Sequence, residues 1–185
     1  LLARVRGGAR RMDRLLRDLV EYARAGSAGL RHERLDLAEL ARSAFEDVVP
    51  ADSRGGFRFE VGELPAVRGD AALLRVVLRH LLANAARSTA ARPGECVEVR
   101  GRIEAGQVVC EVADDGVGFD PAHTGRLFRL FERLHAGEGD DGTGIGLAIV
   151  RRIVERHGGS VRAEGRPGQG ATFTFSLPAW GEIDA

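Results

Sequence analysis

The sequence contains no lysine, because all 27 of its Lys and Arg residues are arginine. A P-loop nucleotide site needs a lysine that reaches the phosphates, so that class of site is excluded. Catalysis through a Schiff base needs a lysine amine and is excluded for the same reason. The chain therefore lacks the residue on which two common kinds of site depend.

Net charge, long apolar runs and metal-binding cysteines are also missing. The formal net charge is zero, which gives no reason to expect a nucleic-acid partner or contact with a membrane. No run approaches the roughly 18 apolar residues of a membrane span, and no signal peptide is visible. The two cysteines, Cys96 and Cys110, lack metal-ligand spacing, and we expect reduced strand residues in a reducing, cytoplasmic compartment.

An apolar stripe near the N-terminus predicts one helix over residues 1–25. Its members alternate between spacings of three and four, as in an a/d heptad seam: Leu2, Val5, Ala9, Met12, Leu16, Leu19 and Ala23. So regular a seam favours packing against partner helices, although a helix packed on its own domain is the alternative. Residues 24–35 are predicted to form a polar linker, with His32 solvated.

The rest of the chain alternates between helices and strands. Helices are predicted after an N-cap at Asp36, over about 70–90 after Gly69-Asp70, and over 145–157. Strands are predicted at 57–61, at 96–103 and 107–113 as a hairpin around Ala105-Gly106, and at 160–164 and 171–177. We therefore expect an α+β fold, a two-layer α/β sandwich whose mixed sheet carries helices on one face, preceded by one long helix. The tail after Pro178 is expected to be loose.

One face of the helix predicted at 70–90 is polar. His80, Asn84 and Arg87 are spaced at i, i+4 and i+7, so they project from the same side. An amide oxygen can ligate Mg²⁺ and a guanidinium can neutralise phosphate, so this row suits a metal–phosphate group. An ordinary solvated helix face has the same pattern, and the row alone does not separate the two.

Two glycine-rich segments flank a Phe-rich loop. Asp114-Asp115-Gly116-Val117-Gly118 follows a predicted strand, where a carboxylate can accept a hydrogen bond from an adenine amino group; an ordinary Asp-Gly turn is the alternative. Gly142-Thr143-Gly144-Ile145-Gly146-Leu147 opens a helix, whose free N–H groups and positive dipole end attract anions. This segment fails the GxGxxG spacing, so a Rossmann fold is a poor match.

The order of these segments resembles the ATP-binding domain of sensor histidine kinases, in the superfamily shared with gyrase, Hsp90 and MutL. LLANAARST resembles the N box, DDGVG the first glycine box, LFRLFER the phenylalanine box, GTGIGLAIV the second glycine box and GQGATFTFSLP the closing strand motif. ARRMDRLLRDLVEYAR resembles the second helix of the family's dimerisation hairpin. FERLH and IVERHGG are most similar to phytochrome-type light sensors.

The resemblance implies a Bergerat-type ATP-binding fold. Residues 1–27 would be part of a dimerisation hairpin, 28–180 the ATP-binding catalytic domain and 181–185 a loose tail. It also implies ATP and Mg²⁺ as ligands, protein-histidine kinase activity, a response regulator as partner and a homodimeric parent protein. No setting like the family's acceptor box surrounds any histidine of the chain, so the phosphoacceptor is expected upstream, and His157 is expected to be structural.

The resemblance also assigns roles to individual residues. Asn84 would ligate Mg²⁺, with His80, Arg87 and Arg133 also at the catalytic end, Arg133 reaching the γ-phosphate. Asp114 would bind the adenine amino group. The other nucleotide contacts would come from Gly116, Gly118, Gly142, Thr143, Gly144, Ile145, Gly146, Leu147 and Thr172. A mobile lid would lie between Phe119 and Gly142.

The chain departs from the family pattern at three positions of the N box. His80 replaces a common Asn, Arg87 a Lys, and Ser88 an aromatic residue that would stack on adenine. These changes keep open a degenerate nucleotide-binding module of a sensor that acts mainly as a response-regulator phosphatase. A hydrolytic ATPase of the gyrase or Hsp90 kind fits less well, because a Glu general base is expected where His80 stands. A pure interaction domain would leave the ordered motifs as coincidence.

Overall fold

The structure is a computed structural model that describes residues 2–27, 29–53, 58–89, 96–132 and 142–181. The helices are α1 Leu2–Ser27, α2 Leu37–Val48, α3 Ala71–Thr89 and α4 Gly146–Arg156, with a short 3₁₀ helix at Pro121–Arg126. The strands are β1 Glu33–Leu35, β2 Arg58–Val61, β3 Val67–Gly69, β4 Cys96–Glu104, β5 Gln107–Asp114, β6 Val161–Gly165 and β7 Ala171–Pro178. Phe57, predicted to begin a strand, lies outside the described residues.

The main sheet has the strand order β2-β4-β5-β7-β6. Strands β2 and β4 run parallel, and the other neighbouring pairs are antiparallel. Helix α3 packs on β4 and β5, α4 packs on β6 and β7, and α2 packs on α3. The predicted two-layer α/β sandwich with a mixed sheet and one preceding long helix is confirmed.

Local signals in the sequence determine where the main elements begin and turn. The Asp36 carboxylate caps α2 by accepting hydrogen bonds from the N–H groups of Ala38 (2.8 Å) and Glu39 (3.1 Å). Asp70 caps α3 through the N–H of Leu73, at 3.1 Å. The β4–β5 hairpin turns at Ala105 and Gly106, both with positive φ, 47° and 76°.

A small second sheet was missed by the sequence-based prediction. Strand β1 lies in the predicted linker and pairs with β3, and α1 continues to Ser27. His32 is exposed, as expected. The prediction of a loose tail after Pro178 was wrong for the next two residues, because Ala179 bridges Val67 and the Trp180 N–H donates to the Ala66 carbonyl at 3.0 Å. Pairing of this kind depends on distant segments and leaves no local pattern.

His157 holds the second sheet against α4. It is 4% exposed, its Nε2 accepts a hydrogen bond from the Asp70 N–H at 3.1 Å, and its Nδ1 lies 2.8 Å from the Ile153 carbonyl oxygen. These two partners require the neutral ring with the proton on Nδ1. Burial lowers the pKa of His157, which agrees with a neutral, structural side chain.

Helix α1 packs on the domain with its C-terminal half. Ala25 is fully buried, and Leu15 and Tyr22 pack against the core. On the heptad seam, Val5, Met12 and Leu16 are each 64% exposed. Within the described part of the chain, the seam is therefore not the surface that packs on the domain. No described helix is long and apolar enough to cross a membrane.

Candidate functional site

The polar row of α3 faces a cavity of about 1520 Å³, which His80, Asn84 and Arg87 all line. The apolar residues on the opposite side of α3 are each 1% exposed or less: Leu74, Val77, Leu78, Leu81 and Ala85. Because this apolar row fixes α3 on the sheet, the polar row is held toward the cavity. Arg87 Nη2 lies 3.4 Å from Asn84 Oδ1, so a guanidinium and an amide stand side by side in the cavity wall.

Asp114 enters the same cavity from the end of β5. It continues the row Val108, Cys110 and Val112, which are fully buried. Since alternate residues of a strand face the same side of a sheet, its carboxylate lies on the side covered by the helices. The topology thus brings a strand end and a helix face to one cavity, as the motif order implied.

One carboxylate oxygen of Asp114 is fully engaged by the protein. Asp114 Oδ1 accepts hydrogen bonds from the Ser88 hydroxyl at 2.7 Å and from the Gly116 N–H at 3.1 Å. The other oxygen, Oδ2, is buried, and no group among the described residues forms a hydrogen bond of normal geometry with it. A buried acceptor without a donor is costly, so this atom points to a ligand that brings a donor.

The burial of Asp114 also shifts its pKa. Burial raises its pKa, and this effect outweighs the opposing hydrogen bonds from Ser88, Gly116 and, more weakly, the backbone of Ala171. The Asp115 carboxylate raises the pKa slightly further. A ligand N–H donor at Oδ2 would stabilise the ionised form and relieve this cost.

The first glycine segment is pressed against two neighbouring elements. A Cβ at Gly116 would lie 2.5 Å from the Ser88 carbonyl oxygen, and the Val117 N–H donates to that same oxygen at 3.2 Å. Gly118 has φ of +63°, and a Cβ there would lie 1.9 Å from the Arg166 carbonyl oxygen. Glycine is required at both positions by close approach, and at Gly118 also by the left-handed backbone.

The second glycine segment also lines the cavity and leads into α4. Gly144 has φ of +74°, and its carbonyl oxygen accepts a hydrogen bond from the Phe131 N–H at 2.8 Å. Gly146 begins α4 beside His80, because a Cβ there would lie 2.8 Å from His80 Nδ1. Ile145, at the N-cap position, makes no side-chain cap hydrogen bond. The positive end of α4 therefore faces the cavity between glycines.

Helix α1 brings two carboxylates to the same place. Asp18 accepts a hydrogen bond from the Thr143 hydroxyl in the second glycine segment. Glu21 Oε2 lies 2.7 Å from His80 Nε2, and Glu21 Oε1 pairs with Arg79. Burial opposes the ionisation of Glu21, but the hydrogen bonds and charges of His80 and Arg79 outweigh it and lower its pKa. Glu21 is therefore an ionised, half-buried carboxylate at the edge of the cavity.

Most of the predicted site residues meet at this cavity. Those that line it are His80, Asn84, Arg87, Asp114, Gly118, Gly142, Thr143, Gly144, Gly146 and Leu147. Gly116 stands behind Asp114, and Ile145 is fully buried beneath the second glycine segment. Arg133 and the rest of the predicted lid up to residue 141 lie outside the described residues, whereas its first part, up to Glu132, is described.

Thr172 does not join this group. Its neighbours Ala171 and Phe173 line the cavity, whereas Thr172 is half-buried and stands opposite Ala113 and Glu164. Because side chains alternate along β7, Thr172 lies on the face of the sheet that the helices do not cover. The geometry therefore gives no support to a side-chain contact between Thr172 and a nucleotide.

Sequence reasoning missed three residues of this site. Ser88 was interpreted only as the loss of a stacking ring, yet its hydroxyl orients Asp114. Asp18 and Glu21 were assigned to a hairpin helix, yet both reach the cavity wall. Their spacing of three residues on one helix face could have indicated a shared target, but nothing in the sequence identifies that target.

The comparisons with known proteins agree with this arrangement. Residues 69–181 match the family described as histidine kinase-, DNA gyrase B- and HSP90-like ATPase. The chain is 33% identical over 171 residues to the phytochrome-like protein Cph1 of Synechocystis, covering 92% of this chain and 23% of that protein. Among solved structures, the mycobacterial sensor histidine kinase MprB is 31% identical with a TM-score of 0.69, covering 80% of this chain and 98% of that one.

A second solved structure resembles the chain over a longer stretch. Full-length ShkA, in complex with AMPPNP, is 32% identical with a TM-score of 0.73, covering 89% of this chain and 35% of that one. The chain belongs to the histidine kinase-, DNA gyrase B- and HSP90-like ATPase family. Within that family it is related to the ATP-binding catalytic domains of sensor histidine kinases. The chain spans 23% of the length of the curated relative Cph1.

Proposed function

We propose that the cavity binds Mg²⁺-ATP and that the chain transfers the γ-phosphoryl group to a histidine N-terminal to residue 1. The observation that carries the proposal is the buried Oδ2 of Asp114, which accepts no hydrogen bond of normal geometry from the described residues and belongs to a side chain that lines the cavity. The 6-amino group of adenine is a donor of the required kind. The flat adenine ring can approach closely the glycines that follow Asp114.

The opposite end of the cavity suits the triphosphate. Gly142, Thr143, Gly144 and Gly146 line it at the start of α4, where backbone N–H groups and the helix dipole favour anions. Asn84 and Arg87 line the same cavity. In a chain that has no lysine, the Arg87 guanidinium supplies the positive charge for the phosphates.

The donor set also fits a magnesium ion. Mg²⁺ keeps several waters and usually takes only one or two protein oxygens together with phosphate oxygens, so the single amide oxygen of Asn84 is a suitable ligand. When bound, the ion would neutralise charge that develops on the transferring phosphoryl group. Asn84 would hold it, and Arg87 would share that neutralisation from the adjacent turn of α3.

The reaction requires few catalytic groups from this chain. A neutral imidazole nitrogen attacks the γ-phosphorus, the bond to the β,γ-bridging oxygen breaks, and ADP leaves with that electron pair. Because the imidazole nitrogen is already nucleophilic, no general base is needed from the cavity. The chain contributes position and charge neutralisation, which dominate phosphoryl transfer.

The wider setting follows from the family. We infer a cytoplasmic two-component sensor whose dimer forms through the exposed seam of α1 and passes its phosphoryl group to a response regulator. Val5, Met12 and Leu16 supply an apolar surface for a helical partner. An alternative is a nucleotide-binding module of a sensor that acts mainly as a response-regulator phosphatase. The engagement of His80 by Glu21 favours that alternative, since it withdraws an N-box side chain from the ligand.

Calorimetric titration of this chain with ATP and inosine triphosphate, each with Mg²⁺, tests the adenine assignment. Inosine triphosphate lacks the 6-amino donor, so wild type should bind ATP more tightly. Asp114→Asn should abolish that preference, and Asn84→Ala should weaken both ligands and reduce the effect of Mg²⁺. Glu164→Gln, on the exposed end of β6, serves as the charge-matched control.

Two outcomes decide the proposal. If Asp114→Asn and Asn84→Ala leave a measurable ATP affinity unchanged, the site assignment is wrong. Incubating a protein extended upstream of residue 1 with γ-labelled ATP then separates kinase from phosphatase. Stable phosphohistidine supports the kinase, whereas intact regulator dephosphorylation without phosphohistidine supports the alternative.

A further inference from the structure

The contacts of α1 with the cavity wall involve groups that a phosphate would use. The Thr143 hydroxyl, in the second glycine segment, donates a hydrogen bond to the Asp18 carboxylate. His80 Nε2 lies on the polar face of α3, and it is engaged by Glu21 at 2.7 Å. The two carboxylates are three residues apart on α1, so they point to the same side of that helix.

Other contacts hold the same part of α1 in place. The guanidinium of Arg152 lies over the Tyr22 ring, 4.5 Å from its centroid, and Arg156 donates to the Ala25 carbonyl oxygen. Ala25 itself is fully buried. These contacts come from α4 and involve neither Thr143 nor His80, so they can anchor α1 while its carboxylates exchange partners.

The charges on α1 and on a nucleotide have the same sign. ATP brings several negative charges to the end of the cavity where Asp18 and Glu21 stand. Glu21 is only 25% exposed in its side chain, so water screens its repulsion of a phosphate less than it would at the surface. Both carboxylates therefore oppose a triphosphate in two ways, through repulsion and through occupation of donors.

We propose that Asp18 and Glu21 form a carboxylate latch that closes α1 over the phosphate end of the cavity, so that docking of α1 and binding of the nucleotide phosphates compete. The latch rests on the proposed nucleotide function of the cavity. When phosphates enter, Thr143 and His80 exchange a carboxylate for a phosphate oxygen, and Glu21 retains only Arg79. Nucleotide occupancy thereby loosens α1 from its own domain.

Reciprocity makes the latch measurable. If phosphates weaken the docking of α1 by some factor, then docking of α1 weakens phosphate binding by the same factor, and removing the latch must strengthen that binding. The double variant Asp18→Asn with Glu21→Gln keeps the shapes of both side chains and removes both charges. We expect it to bind ATP about tenfold more tightly than wild type, within the usual range of coupling between sites. Adenosine, which carries no phosphate, should bind both proteins equally.

The control variant is Asp13→Asn, which removes the remaining α1 carboxylate, paired with Arg17 on the exposed surface. It should leave the affinities for ATP and adenosine unchanged. Hydrogen exchange provides the second measurement: ATP should accelerate exchange of backbone amides in residues 15–21 of wild type, N-terminal to the part of α1 that Arg152 and Arg156 anchor. In the double variant that segment should exchange rapidly before ATP is added. Thermal unfolding of each variant checks that the domain remains folded.

The outcomes separate the latch from the nucleotide function on which it rests. Equal ATP affinity of wild type and double variant overturns the latch alone. Equal gains for ATP and adenosine also overturn it, because the effect would then not involve phosphates. If no protein binds ATP or adenosine, the double variant included, the nucleotide function itself fails. Binding of ATP by the double variant but not by wild type supports both.

Discussion

The Ser88 hydroxyl lies 2.7 Å from Asp114 Oδ1 and 2.8 Å from the Ala85 carbonyl oxygen, and so ties the end of β5 to the last turns of α3. The aromatic ring expected at this position would stack on a nucleotide base. The hydroxyl instead fixes Asp114 Oδ1, and Oδ2 is buried without a hydrogen bond of normal geometry from the described residues. The departure from the family pattern at Ser88 thus replaces a stacking ring by a hydroxyl that holds the carboxylate which we propose binds adenine.

Replacing Ser88 by alanine should weaken ATP binding by about tenfold or more, because one hydrogen bond to a charged group is worth about 1.5–3 kcal/mol. The change should also raise the pKa of Asp114 further, because one of the bonds that opposes its burial is lost. Calorimetry over a pH series measures both effects. Ser160→Ala at the far edge of the sheet is the control, and equal affinities of the two variants at every pH would contradict the prediction.

Asp114→Asn should stabilise the protein without nucleotide. The folded pKa of Asp114 is raised, so the cost of ionising it grows as pH rises above its ordinary value of about 3.9 through the folded value. The variant lacks that cost, and its melting temperature should exceed that of wild type more at pH 7 than at pH 4. ATP should raise the melting temperature of wild type more than that of the variant. A variant less stable than wild type by the same margin at both pH values would refute this prediction.

His157 should make the domain sensitive to acid. Its folded pKa is lowered, so the unfolded chain binds the extra proton first, and stability falls as pH drops below the ordinary value of about 6.5. Urea unfolding between pH 5 and pH 7.5 should show this loss in wild type and a smaller loss in His157→Gln. His123→Gln, in the 3₁₀ helix, is the matched control. If both variants follow the wild-type slope, His157 does not carry the effect.

Two glycines with the same backbone conformation should respond differently to alanine. Gly118 and Gly168 have φ of +63° and +72°, but only at Gly118 would a Cβ meet a neighbour, the Arg166 carbonyl oxygen at 1.9 Å. Gly168→Ala should cost about 1–2 kcal/mol from backbone strain alone. Gly118→Ala should cost roughly 3 kcal/mol or more and also impair ATP binding, because the cavity wall must move.

Chemical denaturation and ATP titration of both glycine variants provide the comparison. Equal losses of unfolding free energy would mean that the close approach at Gly118 is relieved by a small shift of the Arg166 loop. Retained ATP affinity in Gly118→Ala would show that this part of the wall does not touch the nucleotide.

Patterns of short range made the main fold predictable. These patterns are the heptad spacing in α1, the N-caps at Asp36 and Asp70, and the Ala105-Gly106 turn. Each depends on residues that are close together in the sequence. The small sheet of β1 and β3 was not predictable, because three-residue strands offer no period to detect. Thr172 was assigned from its motif, and only the pairing of β7 revealed which face it occupies.

The sequence by itself determined the family, the positions of the glycines and the row of His80, Asn84 and Arg87, because motif order and helical periodicity are properties of the chain alone. Only the tertiary structure decided what those groups contact. The support of Asp114 by Ser88 and the contact of Glu21 with His80 depend on segments far apart in sequence. The same is true of Asp114 Oδ2, which accepts no hydrogen bond of normal geometry from the described residues. Such contacts arise from the packing of α1, α3 and β5 around one cavity, and no local pattern encodes them.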